Sequence, residues 1–255
     1  MYCDAHIHLV DLDSREPDFV RRPLPFAWRA AVVSHNPDEF ASSEKMRAFL
    51  PPTIAGFGIH PQNPDMGNAV FLAALCREKK IRFIGETGFD FFGDGPLRSR
   101  TPEAIKLQTE AFVFQARLAA AEGLPLVIHL RKAADVLMAH GRMLTDIPSV
   151  IFHCWPGRLE EANMLLKKVI NAYFSFGTPL LRDSSHAIES LIGLPLFRIL
   201  SETDAPWQPP HGSPWTRLED IATVVRKMSM VLNIEQSAIE RILEANFASA
   251  YLLNE

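Results

Sequence analysis

Residues 101–132 read TPEAIKLQTEAFVFQARLAAAEGLPLVIHLRK, a helix and the strand that follows it. Thr101 is placed to cap the helix, and Pro102 falls at the first helical position, where its missing N–H costs little. Ala104, Leu107, Ala111, Phe114 and Leu118 recur at spacings of three and four, predicting one apolar stripe over 102–121. Gly123 supplies the stop. The apolar run that follows has the length of a strand and ends on His129.

Moving outward, the same alternation of short apolar runs and longer amphipathic ones continues, the pattern of repeated βα units on a parallel sheet. Eight strands are predicted, near residues 2–6, 29–33, 53–58, 82–86, 125–129, 149–153, 172–176 and 198–202. Eight strands with intervening helices predict a (β/α)8 TIM barrel, the alternative being an open doubly wound sheet. The 255 residues suit one barrel domain spanning 1–255, since such barrels run to about 250 residues. Two further helices are predicted over 218–231 and 236–252. Segments 9–28 and 205–217 are polar and proline-punctuated, and read as long solvated loops, placed in a barrel to lie over its catalytic face.

Composition is that of a globular protein, with 47% hydrophobic and 22% charged residues. The net charge of −4 argues against a broad basic surface for coating DNA, although not against a small site gripping one phosphate. The opening MYCDAHIHLV lacks a basic and apolar leader pattern, and no apolar run approaches the ~20 residues of a membrane span. Cys3, Cys76 and Cys154 are odd in number and widely spaced, and read as reduced thiols of a cytoplasmic protein.

Strand one ends in Asp4-Ala5-His6-Ile7-His8. Residues two apart in a strand share a face, so His6 and His8 project together at its C-terminal end, where barrel enzymes carry their chemistry. Glu86 ends strand four, His129 strand five and His153 strand six, while Asp204 follows strand eight. Four histidines, a glutamate and an aspartate converging on one rim would leave too much polarity unsatisfied without a cation. Nitrogen and carboxylate ligands without thiolate suit Zn, Mn, Co or Mg. Six ligands exceed the needs of one open metal, and fit two divalent ions that share a bridging carboxylate and activate a water. By strand parity Cys3 and Cys154 are expected to point away from this site. His60 could face it in support or contact a phosphate, whereas His35, His140 and His186 read as surface residues.

Together DAHIHL, GIHP, GETGFDFF, QTEAFVFQ with Gln108 and Gln115, LPLVIHLRKA, FHCWPG, ETDAPW and the late Asn246 resemble the TatD family of metal-dependent deoxyribonucleases, among the wider amidohydrolase-like barrels. The resemblance covers almost the whole chain. It implies that His6, His8, Glu86 and Asp204 hold one metal and that Glu86, His129 and His153 hold the second. It further implies Asp204 as the proton acceptor from the attacking water, Glu202 in support, and phosphodiester hydrolysis at a DNA end, of the 3′-5′ exonuclease type. On the substrate side, Arg131 and Lys132 could meet a phosphate, and Trp155 and Trp207 could stack on a base or pack beneath loops. Two departures stand out: Leu130 and Lys132 replace the family's usual serine and acidic residue, and the Arg-Gly-Lys-x-Asn-x-Pro stretch expected after ETD is absent from QPPHGSPWTR. Neither touches a predicted ligand, and both fall where substrate would lie. Two other readings therefore stand beside a nuclease: a small phosphoester, lactone or cyclic amide as substrate, or a non-catalytic metal-binding partner protein. No membrane association and no obligate protein partner are expected.

Overall fold

Eight parallel strands pair in strict chain order in the computed structural model, which describes residues 1–93, 95, 97–168 and 170–253. The strands are β1 (Tyr2–Ile7), β2 (Trp28–Val32), β3 (Thr53–Phe57), β4 (Phe83–Asp90), β5 (Leu126–Arg131), β6 (Val150–Phe152), β7 (Ala172–Phe176) and β8 (Ile199–Ser201). The ring closes through hydrogen bonds at the β8–β1 seam. Ser201 Oγ donates to Cys3 O at 2.7 Å, Asp204 N to His6 O at 2.9 Å and His8 N to Ala205 O at 2.9 Å. This is the (β/α)8 TIM barrel expected. Each predicted strand is present; β4 and β5 run further than their apolar cores suggest, because Thr87 to Asp90 stay in register with Ile128 to Arg131.

The helices α1 (Leu9–Arg15), α2 (Pro37–Arg47), α3 (Ala69–Arg77), α4 (Pro102–Glu122), α5 (Ala134–Ala139), α6 (Leu159–Lys167), α7 (Ser185–Gly193), α8 (Asp220–Leu232) and α9 (Gln236–Ala250) complete the chain. Among the described residues no helix is long and apolar enough to cross a membrane. In α4, Thr101 Oγ1 accepts from Ala104 N at 3.1 Å, and Gly123 ends the helix in the left-handed region at φ 64°. The buried face overlaps the predicted one only at Ala104 and Ala111. Ala104, Gln108, Ala111, Phe112, Gln115, Ala116 and Ala119 turn inward, whereas Leu107, Phe114 and Leu118 are only half-buried. Hydrogen bonding explains the rotation. Gln108 accepts from Asp90 N and donates to Asp90 O and Leu97 O, and Gln115 accepts from Ile59 N and donates to Ile59 O and Thr87 Oγ1.

Segment 9–28 is not the extended loop expected. Leu9 and Leu12 are buried in α1, and Phe19 and Val20 follow on a turn of 3-10 helix, so the segment packs against β1 and β2 rather than lying in solvent. Segment 205–217 does form an irregular loop, fastened by Thr216 N to Pro206 O at 3.0 Å. Apolar side chains fill the lower barrel, among them Ala31, Phe83, Val127, Ile151 and Leu200. Helix α9 caps that end, its Tyr251 flank donating from the hydroxyl to Ala5 O at 2.6 Å. The register shift in β1 between Asp4 and Ile7 corrects the parity argument, because it places Cys3 in this inner cluster beneath the histidines.

Candidate metal centre

His6 lies in β1 and His8 at its mouth, as the residue preceding α1. Their Nε2 atoms lie 3.2 Å apart. Glu86, at 1% exposure, stands across the barrel in β4. Its Oε2 is 3.2 Å from His6 Nε2, 3.4 Å from His8 Nε2 and 3.1 Å from His35 Nε2. Its Oε1 is 3.1 Å from His129 Nδ1, 2.8 Å from His153 Nε2 and 3.7 Å from His60 Nε2. Each oxygen of this carboxylate therefore faces its own imidazoles, with His6 and His153 adjoining where the two sets meet. Asp204, at φ 58° just past β8, brings Oδ1 to 3.4 Å from His8 Nε2 and 3.9 Å from His6 Nε2.

The donor set fits cations better than it fits itself. His129 Nδ1 and His153 Nε2 are 3.0 Å apart and both face Glu86 Oε1, as His6 and His8 both face Oε2. A nitrogen protonated to reach the carboxylate also confronts its neighbouring imidazole, whereas two lone pairs aimed at a cation are both used. Four groups within coordination reach of one another meet the geometric needs of a metal ligand set: His6-Glu86-His153, His6-His8-Asp204, His8-His35-Glu86 and His60-Glu86-His129. All the donors are nitrogen or carboxylate oxygen, as suits a hydrolytic divalent ion.

Burial and mutual charge set the protonation of this cluster. Burial would raise the Glu86 carboxyl, but the imidazoles of His6, His153 and His60 and the His129 contact hold it well below the usual range. Burial would lower His8, yet its contact with Asp204 and the charge of Glu86 carry it up to about 9. His153 is pushed well above its ordinary value against its own burial, by Glu86 and Glu202. Burial lowers His6 and His60, the latter to about 3. Asp204 is held below its ordinary value, with His8, His153 and His6 outweighing burial.

Around the cluster stand groups that orient it. His129 Nε2 meets Asp90 Oδ2 at 3.0 Å, and Asp90 in turn accepts from Gln62 Nε2 at 2.6 Å and Phe92 N at 2.8 Å. Glu202 is fully buried with both oxygens lacking a protein hydrogen-bond partner, and lies 3.8 Å from His153 Nδ1. A carboxylate behind a ligating imidazole fixes its tautomer and raises its basicity. His35 belongs here, not on the surface as expected; its Nδ1 also meets Gly58 O at 3.2 Å. His60 does face the site. Of the other two, His186 is exposed as expected, while His140 packs half-buried against Phe89 and Phe112.

A cavity of about 510 Å³ opens above the cluster, walled by His8, His35, Arg98, Arg131, Arg182 and Trp207 among others. Trp207 is 47% exposed, its indole Nε1 donating to Asp11 Oδ2 at 3.2 Å. Trp155 is otherwise: it is 4% exposed and packs edge-on against Phe152 and Phe174. Trp155 thus packs beneath the loops rather than offering its ring to a base. Cys154 also departs from expectation. Its φ of 42° breaks the strand alternation, and it lines a side cavity of about 230 Å³ with His129, His153 and Asp204.

The TatD related DNase family model matches residues 3–252. The chain belongs to this family. Among its relatives, an uncharacterized metal-dependent hydrolase TatD of Mycobacterium tuberculosis is 29% identical, covering 97% of both chains. The uncharacterized metal-dependent hydrolase YabD of Bacillus subtilis is 30% identical over 83% of this chain and 82% of its own length. A 3′-5′ ssDNA/RNA exonuclease TatD of Cronobacter turicensis is 30% identical over 77% of this chain and 76% of its own. In structure, the Escherichia coli TatD homologue YjjV superimposes with a TM-score of 0.81 at 24% identity, over 98% and 97% of the two chains. An uncharacterized amidohydrolase of Saccharomyces cerevisiae does so at 0.79 and 14% identity, over 98% and 99%. This chain is thus a metal-dependent hydrolase of the TatD family.

The sequence reading missed His35, Asp90, Gln62 and Arg98. A signal existed for two of them. Ala31, Val33 and His35 alternate with period two past the end of β2, and Asp90 keeps step with Gly88 and Glu86 along β4. Gln62 and Arg98 lie in loops, where no periodicity announces direction.

Proposed function

We propose that this TatD-family chain, as one domain of 255 residues, removes nucleotides from the 3′ end of single-stranded DNA with the help of two divalent ions. In this reading His6, His8, Glu86 and Asp204 hold one ion and Glu86, His129 and His153 the other, the metal being Zn, Mn or Mg. The observation that carries it is the division of Glu86, each oxygen facing its own histidines beneath a cavity walled by three arginines and an exposed tryptophan. The exonuclease name of the Cronobacter relative supports the substrate class and polarity.

An ion pair held there would supply Lewis acidity toward a water and a phosphoryl oxygen. The protein's own groups do the rest. Asp204, ionised because His8 and its neighbours hold its carboxyl low, stands ready to accept the proton of the attacking water. Glu86 holds the two histidine sets at fixed separation, and Asp90 and Glu202 orient His129 and His153. Arg98, Arg131 and Arg182 reach the cavity to meet phosphate oxygens, His60 lines the same wall, and Trp207 offers a ring to the terminal base.

The test is degradation of end-labelled single-stranded DNA with Mg, Mn or Zn added, comparing wild type with Glu86→Ala. A 5′ label should give a descending ladder, while a 3′ label should be released at once as mononucleotide. Outer-shell partners of metal ligands cost roughly 10–100-fold when removed, so loss of the shared carboxylate should exceed about 100-fold. A protein that holds metal yet trims neither DNA nor RNA, while opening a lactone, cyclic amide or small phosphoester, would end the nuclease reading and leave the hydrolase.

A further inference from the structure

A second cavity, about 520 Å³, has Arg131 but not Trp207 in its walls. Its walls include Phe92, Lys132, Ala134 and Gly157, and it shares Leu130, Arg131 and Pro156 with the 230 Å³ side cavity next to His129 and His153. The two spaces and the main cavity therefore share Arg131 as a common wall. A hydrolase of a small ester or lactone has no use for such a furrow, because its whole substrate fits over the metals.

The floor of the outer cavity has a specific chemistry. Phe92 keeps 42% of its surface in solvent. The Arg131 guanidinium lies 4.2 Å and the Lys132 ammonium 4.8 Å from its ring centroid, within cation–π range. The nearby acids are engaged elsewhere: Asp135 pairs with Arg100, and Glu161 accepts from Arg158 N at 2.7 Å. Neither Arg131 nor Lys132 has a carboxylate within ion-pairing distance among the described residues. Lys132, at φ 51°, is exposed where the chain turns out of β5. Two cations without an ion-pair partner among the described residues, set on an exposed aromatic ring, match a nucleotide unit, with phosphate for the charges and a base for the ring.

We propose that Phe92, Arg131 and Lys132 form a subsite for the part of a single strand upstream of the bond that is cut, gripping a phosphate and a base one or more nucleotides from the metals. The inference rests on the nuclease reading above and adds the path of the polymer. It makes chain length, not base identity, the determinant of preference, since every base has a face to stack.

The experiment measures KM and kcat on a length series of single-stranded DNA from dinucleotide to decamer, and on bis(4-nitrophenyl) phosphate, for wild type, Phe92→Ala, Phe92→Leu and Lys132→Ala. Wild type should improve with length up to a plateau. Both Phe92 variants should raise KM on the decamer by roughly 5–150-fold, the range of one base–aromatic stack, and leave the small diester unchanged. Lys132→Ala should flatten the dependence of log affinity on log salt by about 0.7, the share of one phosphate contact on a single strand. Equal losses on the small diester would show a structural effect and overturn the subsite. So would variants that cut every length as wild type does, and that result would leave the nuclease itself standing. Wild type that cuts the small diester but no DNA of any length would remove both the nuclease and the subsite.

Discussion

Glu86 is a carboxylate at 1% exposure surrounded by imidazole nitrogens, and the protonation of those imidazoles decides how the centre takes up metal. His8, carried up to about 9, holds a proton near pH 7.5 in the metal-free chain, and His153 is pushed in the same direction by Glu86 and Glu202. Coordination needs the neutral ring, so loading must expel the proton. At least about one proton per chain should leave on saturation at pH 7.5, read by titration calorimetry in buffers of different ionisation enthalpy. Release near zero would mean that His8 is neutral or is not a ligand. The sign for stability follows from the same shift. A histidine raised from 6.5 to about 9 on folding contributes stability present in full below 6.5 and lost as pH rises through 9. The metal-free protein therefore weakens over the window in which metal affinity grows. All six predicted ligands meet at this one cluster because strand ends on one rim were legible from apolar runs. His35 lies past the apolar run that stops at Val33, so only its period-two step from Ala31 and Val33 marks its side.

At the scale of elements, α4 shows what apolar periodicity can and cannot say. Its limits were readable from Thr101, Pro102 and Gly123, all local devices. Its buried face was not, because two glutamines displace the leucine and phenylalanine stripe from the core. Their amides tie α4 to the β3 and β4 mouths, a long-range pairing that hydrophobicity does not encode. Gln115→Ala should strip Ile59 N–H and Thr87 of a partner in a dry interface and cost about 3 kcal/mol, at about 1–3 kcal/mol per buried group left unpaired. Leu107→Ala, on the half-buried side, should cost less. Urea unfolding of the two variants with unchanged slope checks the order, and the reverse ranking would mean the helix presents the other face. Helix α1 was missed for a related reason. Its few apolar residues make barely two turns, and His8, in the capping position, makes no cap hydrogen bond with its side chain, which lies in the centre instead.

For the whole molecule, the proposed ligands come from β4 and β5 and from the ends of β1, β6 and β8, so the cluster ties together strands far apart in sequence. The seam bonds, the inner apolar cluster and the α9 cap also join the barrel, through groups other than the proposed ligand side chains. A ligand that binds only the folded state adds RT ln(1 + [L]/Kd), about 2.7 kcal/mol at a hundredfold excess over Kd. In a chain of this size 1 kcal/mol moves the midpoint by roughly 2–4 °C. Stripping metal with a chelator should therefore lower the thermal midpoint of wild type by about 5–10 °C while leaving one cooperative transition. Glu86→Ala, without the carboxylate that joins the two histidine sets, should melt at the same temperature with and without chelator. Collapse to an unfolded chain on chelation would instead make the metals part of the folding nucleus and the seam insufficient. A chelator shift that persists in Glu86→Ala would place the stabilising ion somewhere other than between His6, His8, His129 and His153.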